Sequence, residues 1–225
     1  MLAPLIAIVG CDGSGKSTLA ADLADVLGRD RPLERAYLGL GSGAIGLRIK
    51  RFPLIGPVIE AALASRGTKA RTEGEKIPGL PTALVIYGFS LLRRRRFRRV
   101  LALRERGVTV VTDRYPQVEV PGFYDGPGLS AARSGSRAVG WLAARERRMY
   151  DWMVSHRPTL VLRLAIDAET AHARKPDHDL ALLRQKVAVT PSLLFSGAPI
   201  VELDARAPYA EVRRRALASI LPVLG

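Results

Sequence analysis

The stretch Gly10-Cys11-Asp12-Gly13-Ser14-Gly15-Lys16-Ser17-Thr18 decides how the rest of the chain is interpreted. From Gly10 to Ser17 it fits the pattern G-x-x-x-x-G-K-[ST], in which a glycine-rich loop surrounds the phosphates of a nucleotide. A short apolar run precedes the loop, and a helical pattern of apolar residues follows it. Strand, loop and helix in this order direct backbone N–H groups and the positive end of the helix at a triphosphate. The stretch therefore predicts an ATP site.

The side chains of this loop have separate predicted roles. Lys16 is expected to neutralise the β- and γ-phosphate oxygens, and Ser17 is expected to ligate Mg²⁺. Asp12 is a candidate for ordering Mg²⁺ and its waters. The residues predicted to bind ATP are Gly10, Asp12, Gly13, Ser14, Gly15, Lys16, Ser17 and Thr18.

Short β-rich runs alternate with longer helical patterns along the chain. Strands are predicted at residues 5–9, 36–38, 108–112, 159–166 and 199–203, and helices at 16–27, 54–65, 82–106, 137–156, 168–174, 180–189 and 208–221. This alternation predicts an α/β fold, a three-layer sandwich with a five-stranded parallel sheet flanked by helices, with a small lid at about 174–184. Residues 39–53 and 116–136 have no predicted element, and loops of that length usually bind a ligand or move. No linker divides the chain, so residues 1–225 are expected to form one domain.

Composition narrows the function classes. With 48% hydrophobic and 25% charged residues, the 225-residue chain is not of a disordered or fibrous type. The net charge of +14 favours an anionic partner, which could be phosphate, nucleic acid or a membrane surface. Most of the basic residues are Arg, which GC-rich codon usage also produces.

Cysteine content and hydropathy indicate the compartment. The single cysteine, Cys11, excludes an intramolecular disulfide and a multi-cysteine metal site, so a reducing, cytoplasmic location is expected. No apolar run approaches the roughly 20 residues of a membrane span.

A second motif, Asp113-Arg114-Tyr115, follows the β-branched run at 108–112. Ligands bind at the carboxyl edge of a parallel sheet, which is where this triplet is expected to lie. Asp113 could hold Mg²⁺ through water and Arg114 could hold a substrate phosphate. The alternative for the pair is a strand-end ion pair.

Together, Asp12 to Thr18 and Asp113-Arg114-Tyr115 resemble the thymidylate kinase family of P-loop nucleotide kinases. In that family an aromatic residue and an arginine one helical turn apart hold the thymine, and Phe89 and Arg93 stand at that spacing. The resemblance therefore implies Phe89, Arg93, Arg114 and Tyr115 as acceptor-binding residues. A core Phe beside a solvated Arg is the alternative for Phe89 and Arg93.

The resemblance also implies a mobile lid that carries arginines over the phosphates. Arg174 is the first candidate for this role and for neutralising the transferring phosphoryl group, with Lys175 and Arg184 next. A solvated surface turn is the alternative.

The acceptor side departs from the family pattern. The family has an Arg-Glu-Pro-Gly stretch after its second strand, whereas residues 37–43 read Tyr-Leu-Gly-Leu-Gly-Ser-Gly. The residues after Tyr115 differ as well. These departures leave the identity of the acceptor open, dTMP included.

Six of the seven residues at 93–99 are arginine. A nucleic-acid or anionic-surface patch is one interpretation. A solvated helix face is favoured over it, because Leu92, Val100 and Leu103 keep an apolar stripe and no aromatic platform beyond Phe97 accompanies the run.

Three functions follow in order of preference. The first is an ATP- and Mg²⁺-dependent phosphotransferase that acts on a nucleoside monophosphate such as dTMP. The second is a P-loop kinase that phosphorylates a hydroxyl of a nucleoside, sugar or other small metabolite, which would use Asp12 or Asp113 as general base. The third is a nucleic-acid-associated ATPase. Similar kinases are often homodimers, although the sequence shows no interface.

Overall fold

The structure is a computed structural model that describes residues 2–39, 79–129 and 136–225. Five parallel strands form one sheet: β1 (Leu5–Gly10), β2 (Leu33–Tyr37), β3 (Thr109–Asp113), β4 (Leu160–Ala165) and β5 (Ile200–Asp204). Their order in the sheet is β2-β3-β1-β4-β5. The predicted α/β fold with a five-stranded parallel sheet is confirmed.

Helices connect the strands and cover both faces of the sheet. In the described ranges they are α1 (Lys16–Leu27), α2 (Leu80–Glu105), α3 (Arg137–Val154), α4 (Ala168–Arg174), α5 (Leu180–Val189) and α6 (Tyr209–Leu224). Two short 3₁₀ turns, Thr190–Ser192 and Phe195–Gly197, join α5 to β5. None of these helices is long and apolar enough to cross a membrane.

The central strand β1 shows why the sheet is buried on both sides. Successive side chains of a strand point to opposite faces. Ile6 and Ile8 pack into the core that α1 and α6 share, whereas Leu5 and Val9 pack into the core under α2 and α3. A strand that is apolar at every position therefore fits only the middle of a three-layer fold.

Helices α2 and α3 pack side by side and run in the same direction. Ser90 contacts Glu146, Arg93 contacts Tyr150, and Phe97 contacts Trp152, so positions rise together along both helices. These contacts place the buried side chains of Ser90, Arg93, Glu146 and Tyr150 between the two helices. Another face of each helix carries exposed residues, such as Arg98 and Arg148.

The observed elements differ from the predicted ones mainly at β2. The prediction places this strand at 36–38, but it begins at Leu33. The sequence LERAY carries few strong strand formers, and pairing with β3 from Leu33 to Tyr37 imposes the strand. The predicted helix at 54–65 and most of the segment 39–53 lie outside the described residues.

Candidate active site

The glycine-rich loop joins β1 to α1 and adopts a backbone that its glycines permit. Gly13 has φ +86°, and a Cβ there would lie 2.6 Å from the carbonyl oxygen of Ala171. Gly15 has φ +90° and precedes the first residue of α1, with no described atom within 4 Å of where a Cβ would be. No described side chain caps this helix N-terminus. The loop therefore presents an open helix end, which suits an anion.

Lys16 lies beneath the loop. Its Nζ donates a hydrogen bond to the carbonyl oxygen of Cys11 at 2.6 Å, and the side chain is buried. Burial, followed by repulsion from Arg114, lowers the pKa of Lys16 to about 8, while Asp12 and Asp113 oppose that shift. Phosphate oxygens near this amine would favour its charged form.

Ser17 and Asp113 meet at the point where β3 ends. The Ser17 hydroxyl donates to Oδ2 of Asp113 at 2.5 Å, as the predicted Mg²⁺ pair requires. The other carboxylate oxygen, Oδ1, is buried and has no hydrogen-bond partner among the residues that the structure describes. A buried unpaired oxygen is unusual, and a cation-bound water would satisfy it. These two residues fit an octahedral Mg²⁺ that takes its remaining ligands from phosphate and water.

Ser17 and Asp113 would not need further protein ligands to hold Mg²⁺. Within residues 2–39, 79–129 and 136–225, no group of three or more His, Cys, Asp or Glu side chains could hold a metal ion. Mg²⁺ normally binds through one or two protein oxygens together with nucleotide phosphates, so the pair is sufficient.

Arg114 follows Asp113 and has a left-handed backbone, with φ +75°. A non-glycine residue in this region is strained, and such strain often accompanies functional sites. Its guanidinium contacts Asp12 at 3.1 Å and Asp125 at 3.6 Å, and 26% of the side chain is exposed. Attraction to Asp125 and then to Asp12 outweighs burial and raises the pKa of Arg114.

Alternating charges continue on both sides of Arg114. Lys186 of α5 donates to Asp12 at 2.5 Å, and Arg93 of α2 pairs with Asp125. We refer to Arg93, Asp125, Arg114, Asp12 and Lys186 as the charge ladder. Burial by itself raises the pKa of Asp12, but Lys186, Arg114 and Lys16 hold it well below the usual range.

Phe89 and Arg93, the predicted base-binding pair, are both buried on α2. Arg93 is 1% exposed, so the solvated Arg of the alternative interpretation is not what the structure shows. Its guanidinium donates to the carbonyl oxygen of Leu38 at 2.8 Å, to the hydroxyl of Tyr150 at 2.8 Å and to Asp125. In this conformation Arg93 secures α2 to the loop that contains Asp125.

Tyr115 also lies inside the protein. Its hydroxyl donates to the backbone carbonyl of His156, and its ring contacts Phe97 and Phe195 edge-on at 5.8 and 6.4 Å. The hydroxyl therefore has a structural partner, and the side chain is only 2% exposed.

Arg174 lies at the last turn of α4, beside the glycine-rich loop. It donates to the carbonyl oxygen of Ala205 at 2.9 Å and lines a cavity of about 180 Å³ with Ser14, Gly15 and Tyr209. This cavity continues from the start of α1 toward the loop after β5. Of the other lid candidates, Lys175 is exposed, and Arg184 forms an exposed pair with Glu169 at 2.9 Å.

The chain is similar over most of its length to two proteins of Escherichia coli. No protein-family model matches the chain. It is 48% identical over 213 residues to YghR of Escherichia coli K12, which is described as an uncharacterized ATP-binding protein, covering 94% of this chain and 84% of YghR. It is also 48% identical over 217 residues to YghS of the same strain, described in the same words, covering 96% of this chain and 92% of YghS. The chain belongs to the family of YghR and YghS.

In this member of the YghR and YghS family, three residues at the site belong to no recognised motif. Asp125 and Tyr124 come from the unassigned segment 116–136, and Lys186 lies on α5 two positions after Arg184. Tyr124 donates its hydroxyl to the carbonyl oxygen of Lys186 at 2.5 Å and so joins the loop to α5. Spacing gave no signal for Asp125 or Tyr124, whereas Lys186 could have been found as a basic residue on the predicted lid helix.

Proposed function

We propose that the chain is an ATP-dependent phosphotransferase that transfers the γ-phosphate of ATP to a nucleoside monophosphate. The descriptions of YghR and YghS as ATP-binding proteins support the nucleotide half of this proposal. The P-loop geometry supports it independently, since an open helix end, a buried lysine and a Ser-Asp pair meet at one edge of the sheet.

We propose one orientation for ATP in the loop. The triphosphate lies over Gly13 to Thr18, where backbone N–H groups and Lys16 compensate its charge. The nucleoside occupies the cavity of about 180 Å³ that Arg174 and Tyr209 line. Ser17 and Asp113 would hold Mg²⁺, which would supply neutralisation of the phosphate charge. In this orientation Arg174 belongs to the nucleoside end of ATP, and Lys186, which pairs with Asp12 of the loop, is the candidate for neutralising the transferring phosphoryl group.

The position of Arg114 is the observation that supports a phosphate-bearing acceptor. The strained backbone aims a guanidinium from the end of β3 toward the loop, and two carboxylates hold that guanidinium in position. A fixed arginine at this edge can bind an acceptor phosphate through two parallel hydrogen bonds. Positioning and charge compensation are the main requirements of phosphoryl transfer, and Arg114 can provide both.

Asp12 is the weaker of the two candidate bases for a hydroxyl acceptor. A general base works best when its pKa is near the working pH. The pKa of Asp12 is held well below its usual range by Lys186, Arg114 and Lys16, so this carboxylate accepts a proton poorly. An acceptor phosphate is already anionic and needs no such base, which favours the monophosphate.

The choice of base in the monophosphate is a separate question. Arg93 is fully engaged with Leu38, Tyr150 and Asp125, so it could contact a thymine only by exchanging these partners. We therefore propose nucleoside monophosphates as the acceptor class, with dTMP as one member of it rather than the sole acceptor.

The test is Mg²⁺-ATP consumption by the purified protein with a panel of nucleoside monophosphates, nucleosides and sugars, with Lys16→Met as the blank. We expect transfer to at least one monophosphate. In Arg114→Gln we expect kcat/KM for that acceptor to fall by about 100-fold or more with little change in the KM for ATP, because a lost positioning contact costs that much.

Arg106→Gln is the matched control, because Arg106 is exposed and its side chain bonds, among the described residues, only the Ala102 carbonyl of the preceding helix turn. Thermal unfolding of both variants shows whether the fold is kept. Transfer confined to nucleosides or sugars would overturn the acceptor assignment. ATP hydrolysis that no acceptor increases would overturn the phosphotransferase itself.

A further inference from the structure

A second concave site lies on the outer side of α2 and α3, separate from the phosphate loop. It has a volume of about 330 Å³. It is lined by Tyr87, Arg94, Arg98, Arg145, Arg148, Met149 and Trp152. Pockets for small ligands begin at roughly this size. We name it the arginine groove.

The groove follows from the spacing of both helices. Tyr87, Arg94 and Arg98 are separated by seven and four residues and therefore share one face of α2. Arg145, Arg148 and Trp152 are separated by three and four residues and share one face of α3. These two faces lie side by side, and the four arginines line the same cavity.

These arginines differ from the others of the run at 93–99. Arg93 is buried against Asp125, Arg96 donates to the carbonyl oxygen of Gly39 at 2.6 Å, and Arg99 pairs with Glu34 at 2.7 Å. In the part of the chain that the structure describes, none of the four groove arginines forms an ion pair with a carboxylate. Four cations around one concavity with no carboxylate partner among the described residues repel each other, and an anion would relieve that repulsion.

The Trp152 ring of the groove already contacts other side chains, so it offers little free surface for stacking. Arg98 lies over the ring of Trp152, 5.8 Å from its centroid, and Phe97 and His156 contact the same ring edge-on. Arg145 lies 4.7 Å over the ring of Trp141 next to the groove. Cation–π contacts of this kind hold a guanidinium plane in a fixed orientation. Tyr87 is the one lining ring with no such arginine among the described contacts.

We propose that the arginine groove binds a compact ligand that carries a chain of two or more phosphates. Fixed arginine forks match phosphate oxygens in pairs, and several adjacent forks match adjacent phosphates. The bounded volume favours a small polyphosphate over a nucleic-acid strand, which needs a longer track and free aromatic faces for its bases. This inference does not depend on the proposed phosphotransferase activity.

The test measures binding of inorganic tripolyphosphate by calorimetry in EDTA. Lys16→Ala serves as the background because it weakens the phosphate loop as a competing site. We expect one saturable site in this variant. We expect its affinity to fall at least tenfold when Arg94→Gln and Arg148→Gln are added, since each removes one fork and Gln keeps the helix propensity.

The matched control adds Arg95→Gln and Arg106→Gln to the same background, which removes equal charge from exposed positions outside the groove. Affinity within about twofold of the background supports the groove. An equal loss in both pairs of variants would show attraction to overall positive charge and overturn the proposal, as would the absence of a saturable site. Tight binding of single-stranded oligonucleotide with none of tripolyphosphate would also overturn it in favour of nucleic acid.

A second arm separates free polyphosphate from a nucleotide. Equal affinity for tripolyphosphate and for a nucleoside triphosphate assigns the groove to the phosphate chain alone. If the nucleotide binds more tightly than tripolyphosphate, and Tyr87→Leu abolishes that difference, the ligand of the groove is a nucleoside polyphosphate. Both results support the proposed chemistry and differ only in the source of the phosphates.

Discussion

Two buried carboxylates, Glu146 and Asp113, differ in how completely their oxygens are paired. Glu146 accepts from the Ser90 hydroxyl at 2.5 Å and from the Leu129 N–H at 2.6 Å, so both of its oxygens have protein donors. In Asp113 the Ser17 hydroxyl donates to one oxygen, whereas the other oxygen is buried and has no hydrogen-bond donor among the described residues. Buried polar atoms in native proteins are nearly always paired. Glu146 therefore stabilises the fold. Under the proposed function, the free oxygen of Asp113 would gain its partner when Mg²⁺ and ATP bind.

This difference predicts a metal-dependent effect of Asp113→Asn. The amide still accepts a hydrogen bond from Ser17 but carries no charge for Mg²⁺. We expect the Kd for ATP to rise about tenfold or more with Mg²⁺ present and to change by less than about twofold in EDTA. Calorimetric titration with ATP under both conditions measures it.

The control for this variant is Asp151→Asn, which removes an exposed carboxylate that pairs only with Arg147 on the same helix. It should leave both Kd values unchanged. If Asp113→Asn weakened ATP equally with and without Mg²⁺, Asp113 would act on the loop itself rather than on the cation.

At the scale of elements, α5 is the helix whose role changed most between sequence and structure. Its bounds, 180–189, are predicted correctly, because Leu180, Leu183 and Val187 repeat at helical spacing and pack on the core. The sequence names Arg184 of this helix as a lid candidate, and in the structure Arg184 forms an exposed pair with Glu169. Lys186, two residues later, faces Asp12 instead. Periodicity predicts a helix, but which of its basic residues faces the site depends on how the helix packs.

The same distinction explains how much of the site the sequence predicts. The loop and the Ser17–Asp113 pair are predictable, because each lies in a contiguous motif whose position on the sheet edge follows from the fold. The charge ladder is not. Asp125 lies in a loop with no periodic pattern, and its contact with Arg93 bridges 32 positions of sequence. Such a pair becomes visible only when the chain is folded.

We expect Lys186→Met to lower kcat by about 10- to 100-fold with a smaller effect on the KM for ATP. Methionine keeps most of the aliphatic length, but it removes the charge that would neutralise the transferring phosphoryl group. Arg184→Gln, on the same helix, is the matched control and should stay within about twofold of the wild type. Steady-state kinetics with the acceptor found in the panel measures both. Equal losses in the two variants would indicate that α5 is simply destabilised.

The whole molecule carries a net charge of +14, and the described ion pairs do little to balance it. Several of them are exposed, among them Arg99–Glu34, Arg184–Glu169 and Arg206–Asp204. Exposed pairs contribute about 0–1 kcal/mol each. The arginine groove adds four cations without carboxylate partners among the described residues. We therefore expect like-charge repulsion to be the larger electrostatic contribution to the folded state.

Salt should consequently stabilise this protein. Between 0.01 M and 0.15 M ionic strength the screening length falls from about 30 Å to about 8 Å, which weakens repulsion across the whole surface. We expect the Tm to rise by a few degrees with sodium chloride over this range, and to rise further with tripolyphosphate at equal ionic strength, because a bound polyanion stabilises only the folded state. Differential scanning fluorimetry measures both. The variant with Arg94→Gln and Arg148→Gln should keep the chloride effect, which arises from the whole charge, and lose part of the tripolyphosphate effect, which arises from the groove. A Tm that falls as chloride is added would instead mean that the ion pairs outweigh the repulsion.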